Sequence, residues 1–326
     1  MAHVPGLWAS SRNHSFRRMN ELPPAGVEET DFKAGFCAII GLPNVGKSTI
    51  LNRLIGERLS IVTAKAQTTR QRLLGIYSDE SHQSVFVDTP GLLKPRYALH
   101  ESMQAEAERA TLDADVLLYV VDLGWKASLD HAREFDVPAR IPSVLCLNKM
   151  DRASKEDVAA AEASLAGSGN WRHVVRTEAT MGTGTELLLR SILDLLPASP
   201  PLYPVDEIAT APLRFFAAEL IRETCFEELA QEVPYATAVG IEAFREEADP
   251  VYIDARIYVE RESQKGIVIG RGGAMIKKIG SQARVKIERL MERPVYLDLR
   301  VKVMPNWRRR PGSLKLFGYD LPPGSR

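Results

Sequence analysis

Cysteine is scarce in this chain: Cys37, Cys146 and Cys225 are the only three among 326 residues, odd in number, far apart and each set among apolar neighbours. No CxxC pair exists, so neither a disulfide framework nor a structural zinc site is written into the sequence. The thiols read as reduced, packed side chains of a cytoplasmic protein. The six histidines, His3, His14, His82, His100, His131 and His173, are scattered and suggest no metal cluster. Long apolar runs are missing as well. Nothing approaches the roughly 18 to 20 consecutive apolar residues of a membrane helix, and the N-terminus holds no apolar secretory core. Net charge is +0, but the balance is uneven: residues 198–260 carry 4 Lys/Arg against 13 Asp/Glu, and residues 261–315 carry 15 against 4. A basic block of that size is an electrostatic footprint for a polyanion, unless it is merely solvated or is paired internally with the acidic stretch.

What is present is ordinary globular material, 45% hydrophobic and 26% charged, enough for two cores at roughly 150 residues per domain. Residues 1–34 contain Pro5, Pro23 and Pro24 and no periodicity, which predicts a poorly ordered N-terminal extension, with Met19 as an alternative start. From Gly35 onward, apolar runs alternate with helical patterns: FCAII then KSTILNRLIG, VFVDT then a helical stretch near 100–112, then DVLLYVVDL, SVLCLNK, HVVRT and TELLLRSILDLLP. Near-continuous apolar strands joined by helices predict a parallel sheet covered on both faces, a doubly wound α/β domain over 35–197. Residues 198–212 hold four prolines and read as a linker. A smaller α+β domain is expected over 213–305: a helix at about 213–231, strands near 236–245 and 251–261, a short helix at 265–270, a longer one from Ala274 to Met291, and a strand at 295–303. Residues 306–326 form a C-terminal tail.

Three motifs carry chemistry in the first domain. GLPNVGKS, Gly41 to Ser48, follows a strand and opens a helix, the context of a phosphate-binding loop. Gly41 and Gly46 let the backbone turn N–H groups toward phosphate, Val45 and Thr49 complete the phosphate-facing set, and the helix adds its positive end. Lys47 neutralises the β and γ phosphates, and Ser48 offers a hydroxyl to Mg²⁺. DTPG, Asp88 to Gly91, ends the strand VFVDT, so Asp88 can hold a Mg²⁺-bound water while the Gly91 N–H senses a γ-phosphate. NKMD, Asn148 to Asp151, follows SVLCL at the carboxyl edge of the sheet, where such folds bind ligands. Guanine presents two adjacent N–H donors and a carboxylate accepts both, so Asp151 selects guanine; Lys149 lies along the ring and Asn148 ties the loop together.

With the three motifs in order, the sequence resembles the translation-factor-related class of GTPases, and QTTR at 67–70 narrows the resemblance to the Era family. The resemblance implies a switch threonine that reaches Mg²⁺ when the γ-phosphate is present: Thr69, with Thr68 as the alternative. It also implies a potassium ion recruited by Asn44, a position otherwise readable as a turn former. Leu92 follows DTPG where many regulatory GTPases carry a water-orienting glutamine, so intrinsic hydrolysis is expected to be slow. The last guanine-contacting loop aligns with Glu178, Ala179 and Thr180, leaving the Ala179 N–H for guanine O6 and a glutamate in place of the usual bracing serine.

In the second domain IVIGRGGAMIKKIG, 267–280, places Gly270, Arg271, Gly272 and Gly273 between two helices. There a nucleic-acid backbone can approach without Cβ obstruction and meet a helix N-terminus. It resembles a KH domain of type II. Those four residues, with Lys277 and Lys278, are the candidate RNA contacts; Ile267, Ile269, Ile276 and Ile279 divide between base-facing surface and core. PNWRRRPGSLKLFGY resembles the family's terminal helix, although Pro311 and Gly312 are expected to interrupt it, and Arg308 to Arg310 either bind phosphate or are solvated. The family resemblance implies a GTPase, with GTP/GDP, Mg²⁺ and K⁺, that binds near the 3′ end of small-subunit ribosomal RNA and assists small-subunit assembly. It further implies a cytoplasmic monomer with peripheral contact at the inner face of the cell membrane. Two other classes compete: an RNA-binding module that binds nucleotide but hardly turns it over, for which Leu92 speaks, and a GTP-dependent RNA-modifying enzyme, for which no catalytic cysteine, metal site or second cofactor loop is seen.

Overall fold

The computed structural model describes residues 31–322 apart from Ala64, Ala66 and Ser168. Most of the expected N-terminal extension, and Met19, lie outside the described residues. The first strand starts two residues before the expected domain boundary: β1 (Lys33–Ile40) begins with the Lys33 N–H on the Ser81 carbonyl. It is followed by α1 (Lys47–Ile55), β2 (Leu73–Ser78), β3 (His82–Asp88), α2 (Ala98–Asp113), β4 (Val116–Asp122), α3 (Lys126–Glu134), β5 (Ser143–Asn148), α4 (Lys155–Ala166), β6 (Trp171–Arg176) and α5 (Thr185–Leu193). β4 and β5 are buried at every position, as strands covered on both faces must be. The strand order is β2-β3-β1-β4-β5-β6. Five of the strands run parallel, but β2, absent from the sequence reading, pairs antiparallel with β3 through Leu73↔Asp88 to Ser78↔Gln83. An antiparallel edge strand needs no crossover helix, so the alternation of apolar and helical runs gives no sign of it. Ile50, Leu51, Leu188 and Ile192 pack one face of the sheet; Ala110, Ala132, Val158 and Leu165 pack the other.

The proline-rich stretch is not a loose connection. Gln83 is fully buried; its side chain accepts from the Leu202 and Tyr203 N–H groups at 2.6 and 2.9 Å and donates to the Tyr203 carbonyl at 2.9 Å. Further on, Ile76 N–H meets the Ile208 carbonyl at 2.9 Å. Residues 202–209 therefore run fixed along the β2 edge.

The second domain comprises α6 (Leu213–Glu228), β7 (Ala238–Arg245), β8 (Val251–Val259), α7 (Glu262–Ile269), α8 (Ala274–Met291) and β9 (Val295–Val303). α6 stops three residues earlier than expected, and the α7 turn starts three earlier. β7 is antiparallel to β8 and β8 parallel to β9, with Ile221, Cys225, Val268, Ile279, Ala283 and Ile287 packed on the sheet. All three cysteines are buried and free.

Pro311 does not interrupt the terminal helix; it starts it. α9 (Pro311–Leu316) has Pro311 in its first turn, where a missing N–H costs nothing and the fixed φ is already helical. A 3-10 turn, Trp307–Arg309, precedes it. Trp307 is 0% exposed, donates its indole N–H to the Ala236 carbonyl at 2.8 Å, and clusters with Leu99 and Met103 of α2 and with Tyr258, Leu314 and Tyr319. This cluster joins the two domains. Trp307→Ala should cost about 3–5 kcal/mol, and because the cavity opens at the contact, a urea melt followed by probes in each domain should split from one transition into two. A single unshifted transition would mean that Trp307 holds nothing together.

Candidate functional site

The three first-domain motifs converge at the carboxyl end of the parallel sheet, the phosphate loop after β1, DTPG after β3 and NKMD after β5. Their approach depends on glycine at two points. A Cβ on Gly46, whose φ is +105°, would lie 2.3 Å from Asn148 Nδ2, and one on Gly91 would lie 2.6 Å from the Pro43 nitrogen. Asn148 closes the loops together: its Nδ2 donates to the Val45 carbonyl at 2.8 Å, while its Oδ1 accepts from Thr177 Oγ1 at 3.0 Å and from Ala179 N–H at 3.2 Å. Thr177, fully buried, thus braces the last loop. The family pattern puts that brace at the position of Glu178; here it stands one residue upstream. The Ala179 N–H, reserved in the sequence for guanine, is shared here with Asn148. Lys149, at φ +60°, donates to the Asn44 carbonyl at 2.5 Å and to Asp122 at 2.7 Å. Asp151 is exposed at the mouth of the site.

At the other end, one carboxylate gathers three hydroxyls. Asp88 Oδ2 accepts from Ser48 Oγ at 2.8 Å, Ser60 Oγ at 2.9 Å and Thr69 Oγ1 at 3.2 Å, and Ser48 and Thr69 lie 2.9 Å apart. Asp88 is fully buried and its Oδ1 has no partner among the described residues. Burial pushes its carboxyl above the usual range, opposed by Lys47 and the three hydroxyls. Lys47, 6% exposed, donates to the Gly41 and Leu42 carbonyls at 3.2 and 3.0 Å, and burial pushes its ammonium down to about 8 against the pull of Asp88. A hard divalent cation with oxygen ligands fits this set: an orphaned carboxylate oxygen and two adjacent hydroxyls. Of the two threonines, Thr69 is the one that faces Asp88; the Thr68 carbonyl instead accepts from Arg222. Leu92 packs its half-buried side chain against the core and gives its N–H to the Gly41 carbonyl at 3.0 Å.

The segment carrying Thr69 is fastened to the second domain. Arg70, 2% exposed, donates to the Thr237 and Tyr235 carbonyls at 2.7 and 3.0 Å and lies over the rings of Phe226 and Trp307. Gln71 donates to the Phe317 carbonyl at 2.6 Å, and Lys65 to those of Phe226 and Leu229. The Glu223 carboxylate, 1% exposed, takes Arg58 at 2.7 Å from the first domain and Lys286 at 2.9 Å from α8. Nothing in the local sequence around Arg70 or Glu223 announces these roles, since the partners that cross between the domains lie some 165 residues away and Lys286 lies 63 away.

In the second domain Gly270, Gly272 and Gly273 all have positive φ, at 73°, 59° and 80°. A Cβ on Gly272 or Gly273 would meet nothing within 4 Å, so the loop is open on the outside. Arg271 and Lys277 are exposed, but Lys278 pairs with Glu228 at 2.5 Å and Lys286 also with Glu227 at 2.6 Å. Part of the basic block is therefore matched by the acidic helix α6. Ile279 is core, whereas Ile267 is 49% exposed. Arg308 is neither free nor merely solvated: it pairs with Glu260 at 2.5 Å and lies over Tyr97.

Residues 36–149 match the family model of the 50S ribosome-binding GTPase, and residues 232–308 match the KH domain. The GTPase Era of Geotalea uraniireducens is 42% identical over 297 residues, covering 90% of this chain and 100% of that protein. The GTPase Era of Leuconostoc citreum is 42% identical over 303 residues, covering 90% and 99%. Among solved structures, a tyrosine-to-alanine variant of Aquifex aeolicus Era bound to GDP·AlF4⁻ superposes with a TM-score of 0.82 at 37% identity. Era in complex with MgGDPNP and nucleotides 1506–1542 of 16S ribosomal RNA does so with 0.83 at 38%; each covers 89% of this chain and 100% of its own.

Proposed function

The chain belongs to the Era family of GTPases, and from that membership we propose that it is a guanine-nucleotide switch whose KH domain binds small-subunit ribosomal RNA near the 3′ end and so assists small-subunit assembly. It hydrolyses GTP to GDP and phosphate. The observation that carries the switch reading is the dual attachment of one short segment: Thr69 faces Ser48 and Asp88, while its neighbours Thr68 and Arg70 are held by the KH side. A γ-phosphate that draws on Thr69 then acts on a strap tied to the RNA-binding domain, so nucleotide state and RNA affinity are linked. Ser48, Thr69 and Asp88 hold Mg²⁺, which neutralises phosphate charge when bound. Lys47 and the N–H groups around Gly41, Val45, Gly46 and Thr49 hold the phosphates, Gly91 senses the γ-phosphate, and Asn148, Lys149, Asp151 and Ala179 hold the base. Gly270 to Gly273 with Lys277 and Lys278 receive the RNA backbone, Lys278 by leaving Glu228. Sequencing the RNA crosslinked to the GTP-loaded protein in cells tests the partner: recovery of small-subunit RNA near its 3′ end is expected, and its absence would overturn the assignment.

Leu92, aliphatic and packed against the core, has no group to orient water, which favours slow intrinsic turnover; comparing turnover with and without assembled RNA measures it. A monovalent cation held with the help of Asn44 would add positive charge near the β and γ phosphates, and the backbone of Asn44, at φ +65°, presents its carbonyl to Lys149. Replacing K⁺ by Na⁺ at constant ionic strength should slow wild-type hydrolysis about tenfold, and Asn44→Ala should erase the difference; tenfold is about 1.4 kcal/mol, a fitting size for one added charge. A cation response that persists in the variant removes Asn44 from this role. Among the described residues no helix is long and apolar enough to cross a membrane. The same reading has the protein act as a cytoplasmic monomer with peripheral contact at the membrane's inner face, which flotation with anionic vesicles checks.

A further inference from the structure

We infer that Ser60 is a positioning residue of the nucleotide site: its hydroxyl, fixed through Asn52, holds the Asp88 carboxylate in place whatever nucleotide is bound. The inference rests on the reading that Asp88 belongs to the Mg²⁺-binding set.

Asn52 stands on α1 four residues after Ser48, and so on the same face of the helix. Its side-chain oxygen accepts the Leu59 and Ser60 N–H groups at 2.9 and 2.8 Å, and its side-chain nitrogen donates to the Ser60 carbonyl at 2.9 Å. These three bonds tie the Ser60 backbone to the helix that carries the phosphate loop. Ser60 is 7% exposed, and its hydroxyl donates to Asp88 Oδ2 at 2.9 Å.

The three hydroxyls on that oxygen are not equivalent. Ser48 belongs to the phosphate loop and would offer its lone pairs to the metal while donating to Asp88. Thr69 sits in the loop before β2, tied at Thr68 and Arg70 to the KH side, and follows the γ-phosphate. Ser60 is tied to α1 by the three Asn52 bonds. Arg58 and Val62 on either side of it reach Glu223 of α6 and it shares a small cavity with Phe215 and Glu219, but its hydroxyl is given to Asp88. It therefore remains the donor to Asp88 after Thr69 has gone, in the GDP state as in the GTP state. A buried carboxylate whose other oxygen has no partner among the described residues is poorly placed to lose it, because hydrogen bonds to charged groups are among the stronger ones.

The test is the rate of release of a fluorescent GDP analogue from the full chain as Mg²⁺ is titrated. Ser60→Ala should raise the Mg²⁺ concentration at half-effect about tenfold and leave the rate at saturating Mg²⁺ near wild type, while Ser60→Thr, which keeps the hydroxyl, should restore the wild-type midpoint. Ser60→Cys, a near-isostere with a weak donor, should shift it in the same direction as alanine, and serves as the readout if the alanine variant does not fold. A wild-type midpoint in Ser60→Ala or Ser60→Cys overturns the inference. Asp88→Asn separates the two levels. If it shifts the midpoint and the Ser60 variants do not, Ser60 alone is wrong; if Asp88→Asn also leaves it unmoved, the metal reading of Asp88 has failed and the inference falls with it.

Discussion

Asp151→Asn should move the nucleotide preference from guanine to xanthine. The carboxylate accepts the two adjacent N–H donors of guanine, whereas an amide presents a donor at one of those positions and matches xanthine, which has an oxygen in place of the 2-amino group. Sites that recognise a partner through such bonds reject the mismatch by about 10⁴-fold, because the buried polar groups go unpaired. The surroundings suit the experiment. Asp151 is exposed, whereas Lys149 is held by Asp122 and the Asn44 carbonyl and Asn148 by the Val45 carbonyl and Thr177, so the loop keeps its shape when position 151 changes. Competition binding with GTP and XTP reads the outcome. Unchanged GTP affinity in the variant would remove Asp151 from the site.

Arg271→Asp combined with Gly272→Asp should abolish RNA binding and spare guanine-nucleotide binding. Aspartate tolerates the left-handed conformation that Gly272 adopts at φ 59° better than most residues, and open space surrounds the Cβ position, so the variant folds. What it meets is the RNA: two carboxylates at the tip of an open loop repel phosphate where the backbone has to come close. With about five phosphate contacts, wild-type binding to single-stranded RNA should weaken with log salt at a slope near −3.5, from about 0.7 per contact. A slope near zero would mean that the exposed cations of α8 are merely solvated. Retained RNA affinity in the double variant would move the site elsewhere, with Arg309 and Arg310, both exposed, the next residues to change.

Much of this molecule is legible one segment at a time. The buried strands, the motif at each of their carboxyl ends, and the Ala274–Met291 helix and 295–303 strand of the KH domain follow from local periodicity and turn chemistry. β2 escapes because six residues containing a glycine carry little signal until β3 is beside them. The proline run reads as a linker because a buried glutamine 119 residues away, Gln83, is what pins it. Pro311 reads as a breaker, although the same fixed φ makes it a starter once the helix begins there. Thr177, Ser60 and Glu223, and the role of Arg70 within QTTR, escape for one reason: each acts on a partner that only tertiary folding brings near, and no spacing rule reaches that far.

The residues that seal the domain contact are made well after the GTPase domain. Trp307 and Tyr319 leave the ribosome about 110 to 120 residues after the GTPase domain is complete, roughly 5 to 25 s at ordinary elongation rates. Through that interval Leu99 and Met103 lie without their cover, and for about the first third of it Arg70 lacks the Tyr235 and Thr237 carbonyls that hold it. A nascent chain can thus load its nucleotide with its signalling strap still untied, and acquires a responsive RNA-binding partner only after the residues around Trp307 and Tyr319 have followed.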